Sequence, residues 1–192
     1  MNFVGPATPL EDKDIAEVAA VLVCDVAAVQ AVCDVEAAGA GFLPDGRPKI
    51  LFEAHVFGRL TDHQYDDEHP NISAPHWDRS LYGKPGAHQY DRLAEAIALD
   101  ETAALKSASW GMFQVMGMNY KACGFATVQD FVNAMVQSER AQLDAFASFC
   151  RSSSAANSLR THNWAAFART YNGPGQVEFY AAKLQEAFEA AS

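Results

Sequence analysis

Positive charge is scarce in this sequence. Fourteen lysines and arginines stand against 24 aspartates and glutamates, for a formal net charge of −10 and a pI near 4.9. A nucleic-acid binder would normally carry a basic face, so that class is set aside. The same deficit gives no electrostatic help in approaching an anionic surface. Paired cysteines are also missing. Cys24, Cys33, Cys123 and Cys150 form no CxxC spacing, which excludes a zinc knuckle or a thioredoxin motif. All four lie in apolar surroundings and read as small core residues. The first residues lack a basic start and an apolar run, so no signal peptide is expected and folding in a reducing cytoplasm is. Residues 15–35 are rich in Val and Ala, but Glu17, Asp25, Gln30 and Asp34 interrupt them. No membrane insertion is expected there. Internal repeats and low-complexity stretches are absent.

What is present suits a globular fold. The chain has 192 residues, 49% of them apolar, enough for a core and for one domain spanning 1–192. A first helix is predicted over 11–23 after Pro9. A second, N-capped by Asp25, runs to about Ala38 and stops at Gly39. Asp45-Gly46, between two apolar runs, predicts a β-hairpin over 41–53, the only convincing β-structure. Residues 58–88 are polar and dense in His, Asp, Pro and Gly, as in a long surface loop. From about Gln89 the pattern is helical almost to the end. Thr127 with Asp130 marks a helix start, and helical stripes cover 138–151, 163–171 and 176–190. The fold class is therefore α+β, predominantly α-helical, with one small hairpin.

One carboxylate is out of place. Val26, Val29, Cys33 and Glu36 fall at i, i+3, i+7 and i+10, one helical face. Glu36 stands where this stripe would ordinarily place a Leu. Burial disfavours an ionised carboxylate and raises its pKa, as a general acid at neutral pH requires. The alternative by periodicity alone is a Glu36 turned to the surface or paired with Lys or Arg.

The run from Val35 through Glu36, Gly39, Gly41-Phe42-Leu43-Pro44-Asp45-Gly46-Arg47-Pro48-Lys49-Ile50-Leu51-Phe52-Glu53 to Phe57 resembles the signature of the phage and prophage N-acetylmuramidase family. The resemblance resumes at Ser107-Ala108-Ser109-Trp110-Gly111-Met112-Phe113-Gln114-Val115-Met116-Gly117 and again at Tyr171-Asn172-Gly173-Pro174-Gly175. It spans about residues 15 to 190. The same blocks are similar, more loosely, to goose-type lysozymes and lytic transglycosylases. This resemblance implies a lysozyme-like fold, cleavage beside N-acetylmuramic acid, and Glu36 as the catalytic acid. It departs at Ala37, where relatives often carry Ser, and the length leaves no room for the separate wall-binding domain that many relatives have.

Further site residues follow from the blocks. Gly111 and Gln114, one helical turn apart, are expected to bind substrate. Gly111 would allow close approach, and Gln114 would hydrogen-bond an acetamido or hydroxyl group. A packing glycine and a surface glutamine are the plain alternative. Tyr171 and Asn172 are also expected in the cleft, although a helix-ending turn accounts for Asn-Gly-Pro-Gly without a site role. Glu53, on the return strand, is the candidate second carboxylate, activating water or stabilising an oxocarbenium-like transition state; a salt bridge to Arg47 or Arg59 is equally open. His63, His69 and His76 with Asp62, Asp66 and Asp67 match no compact ligand spacing, so no metal is expected. Trp77, Tyr82 and Trp110 suit either sugar subsites or packing.

The expected function is hydrolysis of the β-1,4 bond between N-acetylmuramic acid and N-acetylglucosamine by an endolysin. The partners would be peptidoglycan glycan strands, with no cofactor, no nucleic acid and no membrane insertion, and the chain would act as a monomer. It would be made in the host cytoplasm and reach the wall after a separate pore-forming protein opens the membrane. The alternatives are a lytic transglycosylase, which leaves an anhydro sugar, and a catalytically inert wall-binding module.

Overall fold

The structure is a computed structural model that describes residues 2–36 and 40–192. The expected helix stop at Gly39 and the departure at Ala37 lie outside the described residues. Helices make up 56% of the chain beside a small antiparallel sheet, so the helix-dominated α+β class holds.

Two helices open the chain, α1 (Asp12–Leu22) and α2 (Val26–Glu36), bent by 117° at the break between them. The Asp14 carboxylate accepts the Glu11 N–H at 3.0 Å and starts α1. Val23, in the left-handed region at φ 57°, ends it. Asp25 starts α2 through its carbonyl, which accepts from the N–H groups of Ala28 and Val29. Its carboxylate, expected as the cap, instead meets His162 Nε2 at 2.8 Å. No single helix among the described residues is long and apolar enough to cross a membrane.

The β-structure departs from expectation. The Asp45-Gly46 turn forms, with the Leu43 N–H on the Arg47 carbonyl at 2.7 Å and Gly46 at φ +81°, but it carries a single bridge, Phe42 to Pro48. Strand β1 (Ile50–Phe52) continues past the turn and pairs antiparallel with β2 (Ala108–Trp110), far along the chain. β2 in turn pairs with β3 (Val115–Met116). The order β1-β2-β3 puts two segments read as helical into a sheet. Local alternation reveals a turn, but not the remote strand that completes a ladder.

Between β1 and β2 lie α3 (Ala54–Leu60), α4 (His88–Leu99) and α5 (Glu101–Lys106). The expected surface loop over 58–88 is largely present, though α3 takes its first residues and a 3-10 turn spans Arg79–Tyr82. It is pinned from beneath by buried Arg92. This guanidinium donates to the carbonyls of Phe52 at 2.8 Å and Asn71 at 2.9 Å. The loop's histidines are dispersed: His63 meets Asp66 at 3.0 Å and His69 meets Glu95 at 3.1 Å. Burial raises the thiol pKa of all four cysteines, to about 12 for Cys33 and Cys123, and three of the four are buried.

The C-terminal half is helical as read, with α6 (Val128–Gln137), α7 (Glu139–Arg151), α8 (Ala155–Arg160), α9 (Trp164–Tyr171) and α10 (Val177–Ala191). Three helix starts show how sequence sets these bounds. The side chains of Thr127, Ser138 and Asn163 accept the N–H three residues ahead and cap α6, α7 and α9. The apolar faces converge on one core around Phe52, Trp110, Phe113, Phe131, Phe146 and Phe167, all essentially without solvent contact.

Candidate active site

Glu36 ends α2. Val29, Val32 and Cys33 face the core, whereas Val26 is 50% exposed, so the buried stripe begins one turn later than expected. Glu36 continues it by one further turn and comes out half-buried at the helix end. Burial is the main cause that raises its pKa above the ordinary carboxylate range; a hydrogen bond from Asn172 works against it. That bond runs from Asn172 Nδ2 to Glu36 Oε1 at 3.0 Å. Asn172 Oδ1 is buried with no hydrogen-bond partner among the described residues.

Asn172 is delivered by the end of α9. The helix is fixed by Phe167 in the core and by Tyr171, whose ring stacks on Phe167 with centroids 5.5 Å apart and meets Phe146 edge-on at 5.3 Å. The Tyr171 hydroxyl donates to the Phe113 carbonyl. Burial first, and the Glu36 charge second, push this phenol well above its usual pKa. Tyr171 therefore ties α9 to the turn between β2 and β3 while standing beside Glu36.

That turn carries Gly111 and Gln114, but not on a helix. Both have positive φ, +72° and +48°, in the four-residue loop of the β2–β3 hairpin. Gly111 is required by this conformation and because a Cβ would lie 2.5 Å from Gln142 Cδ. Protein, rather than sugar, makes the close approach at that position. The exposed Gln114 is occupied as well: its Nε2 donates to the Gly111 carbonyl at 2.8 Å and its Oε1 accepts from Ser109 Oγ at 2.8 Å.

Glu36 is shared by two open spaces. The larger, about 570 Å³, is bounded by Leu43, Lys49, Leu51, Pro85, Gly111 and Met112. The smaller, about 190 Å³, lies toward Met116, Asn119, Phe149, Tyr171 and Asn172. Gln114 borders both.

The structure brings Glu36, Gly111, Gln114, Tyr171 and Asn172 together and leaves Glu53 apart. Lys49, just before β1, and Ile50 and Leu51 on it border the larger space, while Phe52 is wholly core. Glu53 follows the strand at the start of α3. It borders neither space. Its Oε2 accepts from the Tyr82 hydroxyl at 2.7 Å and lies 3.4 Å from His55 Nδ1. Trp77 Nε1 donates to the same Tyr82 oxygen at 2.8 Å. Tyr82 is pushed up to about 12, by burial and then by Glu53. Neither expected salt bridge forms, since Arg47 pairs with Asp45 and Arg59 reaches only the Met118 sulfur. Trp110 is wholly core and Trp77 is 60% exposed.

One half-buried carboxyl with a raised pKa, shared by two adjoining open spaces, fits protonation of a leaving oxygen in a bound substrate. The family model for N-acetylmuramidases matches residues 25–192. The chain belongs to the N-acetylmuramidase family. The crystal structure of Burkholderia AP3 phage endolysin is similar at 41% identity, with a TM-score of 0.89, over 97% of this chain and 71% of that one. No curated protein matches this chain. Membership of the muramidase family makes it a peptidoglycan hydrolase.

Other residues of this muramidase cleft carry no signal in the sequence. Lys49, Leu51 and Met112 lie in the family blocks without a feature that marks them. Pro85 and Gly86 belong to a loop held by Gln89, whose Nε2 donates to the Tyr82 and Lys84 carbonyls. Gln142 has the pattern of any polar residue on a helix, and only the fold brings it to the cleft wall.

Proposed function

We propose that this muramidase cleaves the β-1,4 bond between N-acetylmuramic acid and N-acetylglucosamine, with Glu36 protonating the departing glycosidic oxygen. The observation that carries this reading is Glu36 itself: a carboxyl with its pKa raised by burial, bordering both halves of the cleft. Sugars on either side would place the scissile oxygen over it. Asn172 can serve both protonation states. Its Nδ2 donates to the ionised carboxylate, and its otherwise orphaned Oδ1, with the amide rotated, can accept from the acid form. Tyr171 and Gln114 then act chiefly by fixing the walls, and Lys49 supplies the cleft with a cation for the acidic groups of the substrate.

The second half of the reaction needs a nucleophile. Among the described residues bordering the two spaces, Glu36 is the one carboxylate, and Glu53 is engaged by Tyr82. In this reading water attacks without a second protein carboxylate in contact, and Glu53 supports the loop that carries Tyr82. The same observation favours one rival, a lytic transglycosylase, in which a hydroxyl of the substrate replaces water. Product masses from purified peptidoglycan decide. Reducing ends that take up label from isotopically heavy water support hydrolysis; anhydro ends, lighter by one water, establish transglycosylation. A zymogram without clearing would leave only a binding module.

The phage endolysin likeness supports a lytic role. The protein would be made in the host cytoplasm and act on the wall as a monomer, after a separate pore-forming protein opens the membrane. No cofactor enters this reading.

A further inference from the structure

We propose that Glu139 and Gln142, one turn apart at the start of α7, are positioning residues that hold the two cleft walls in register about Glu36; this rests on the general-acid reading above. Ser138 caps α7, so an acid in its first turn would ordinarily point to water and complement the helix dipole. Glu139 instead turns inward and is 5% exposed; Gln142 is 1% exposed. Burying a carboxylate is costly unless hydrogen bonds replace its water. Here both oxygens are taken by backbone donors from distant segments: Oε1 by the Gly41 N–H at 2.6 Å and Oε2 by the Leu10 N–H at 3.0 Å. Gln142 makes the matching grip on the other wall. Its Oε1 accepts the Met112 N–H at 2.6 Å, and its Nε2 donates to the Met135 carbonyl at 2.9 Å.

The fit is close on both sides. A Cβ on Gly41 would fall 2.2 Å from Gln142 Oε1 and 3.0 Å from the Met112 nitrogen. Gly111 is equally closed by the same carboxamide. Residues 40–41, with Ala40 in the cleft, and the β2–β3 turn, which puts Gly111 and Met112 there, thus meet on one turn of one helix. Lys49 lies between them, with its N–H on the Gly41 carbonyl and its carbonyl accepting from the Gly111 N–H, each at 2.8 Å. A fold needing only burial would place an apolar side chain at 139. A carboxylate is what two backbone donors require.

The test is Glu139→Gln, which keeps the shape but sets an NH2 against one of the two N–H groups however it rotates. The expected result is a fall in kcat of about 10- to 100-fold, the scale of a displacement of about 1 Å in a catalytic constellation, with little change in KM. The alkaline limb of the pH profile should also move to lower pH, as water reaching Glu36 eases its ionisation. Asn172 and Tyr171, the groups beside Glu36, and Lys49, the cation bordering the same space, are untouched by the change. A lower melting temperature with kcat and the limb unmoved would overturn the proposal. Gln142→Met keeps length and volume but strands the Met112 N–H, and should give the same signature; if Glu139→Gln does not fold, this variant decides on the same readouts. Glu36→Gln separates the two ideas. If it retains turnover, the general-acid reading fails. If it is dead while Glu139→Gln and Gln142→Met behave as wild type, only the positioning inference fails.

Discussion

Glu36 and Glu53 are both half-buried glutamates next to the ends of regular elements, yet their surroundings give them different chemistry. Glu36 closes a helix, continues an apolar stripe and meets one amide donor; desolvation wins, and its pKa rises. Glu53 follows a strand and lies at a hydroxyl, with an imidazole beside it and an indole behind. The difference teaches that a carboxylate's role is set by what replaces its water. Apolar walls favour the protonated form that a general acid needs, and in the proposed reading the O–H donor at Glu53 makes it a bracket for a loop.

The sharpest way to break this contrast is to remove each acid. Glu36→Gln should lower turnover by at least the 10²–10⁴-fold typical of general acid catalysis, with circular dichroism unchanged. Near-normal lysis by the folded variant would remove Glu36 from the mechanism. Glu53→Gln should cost less than about tenfold, as for a group acting through a loop rather than on the reacting atoms. It should also lower the Tyr82 titration from about 12, since Glu53 helps hold that phenol neutral. A turnover loss rivalling that of Glu36→Gln, with the Tyr82 phenolate titration unmoved, would make Glu53 the second catalytic acid.

A pH series sharpens the comparison without changing the mechanism. Glu36 works as an acid only while protonated, so kcat/KM should fall on the alkaline side as it ionises, above the ordinary Glu value of about 4.3. The limb should persist at moderate salt on an uncharged chitooligosaccharide-like substrate, because salt screens exposed charges and barely touches a buried one. Stability carries the same sign. A carboxyl whose folded pKa lies above its unfolded one favours the fold fully below the unfolded value, and that contribution is lost as pH rises through the folded value. Glu36→Gln should therefore melt above the wild type on the alkaline side, and the gap should close below about pH 4. A constant gap across the range would mean that Glu36 ionises as freely as in water.

Two smaller effects probe the walls. Lys49→Met should raise KM several-fold on anionic peptidoglycan and leave the uncharged substrate unaffected, by removing the cleft's cation. Equal effects on both substrates would point to a packing role. Trp77→Ala should change little on short substrates and weaken binding modestly on long strands, if the exposed indole held by Tyr82 meets sugar faces beyond the cleft. Identical KM values at all lengths would confine Trp77 to the loop.

Much of the frame was legible along the chain. The helical stripes from 127 onward, the Thr127 cap, the Asp45-Gly46 turn and the apolar stripe leading to Glu36 are all local patterns, expressed within one or two turns of backbone. Family resemblance then pointed to Gly111, Gln114, Tyr171 and Asn172 as one site. Tertiary structure decided the rest, because each remaining fact joins segments that no local period connects. β1 finds β2 rather than its hairpin neighbour. Gly111 and Gln114 sit on a turn with positive φ, not on a helix. Tyr82 comes to Glu53 and hydrogen-bonds it, and Gly41 and Met112 meet on Glu139 and Gln142. Sequence by itself determined the family and pointed to Glu36. Only the fold decided what replaced the water of each buried carboxylate — apolar walls and one amide at Glu36, a hydroxyl at Glu53, two backbone N–H groups at Glu139 — since desolvation depends on what packs around a group in space.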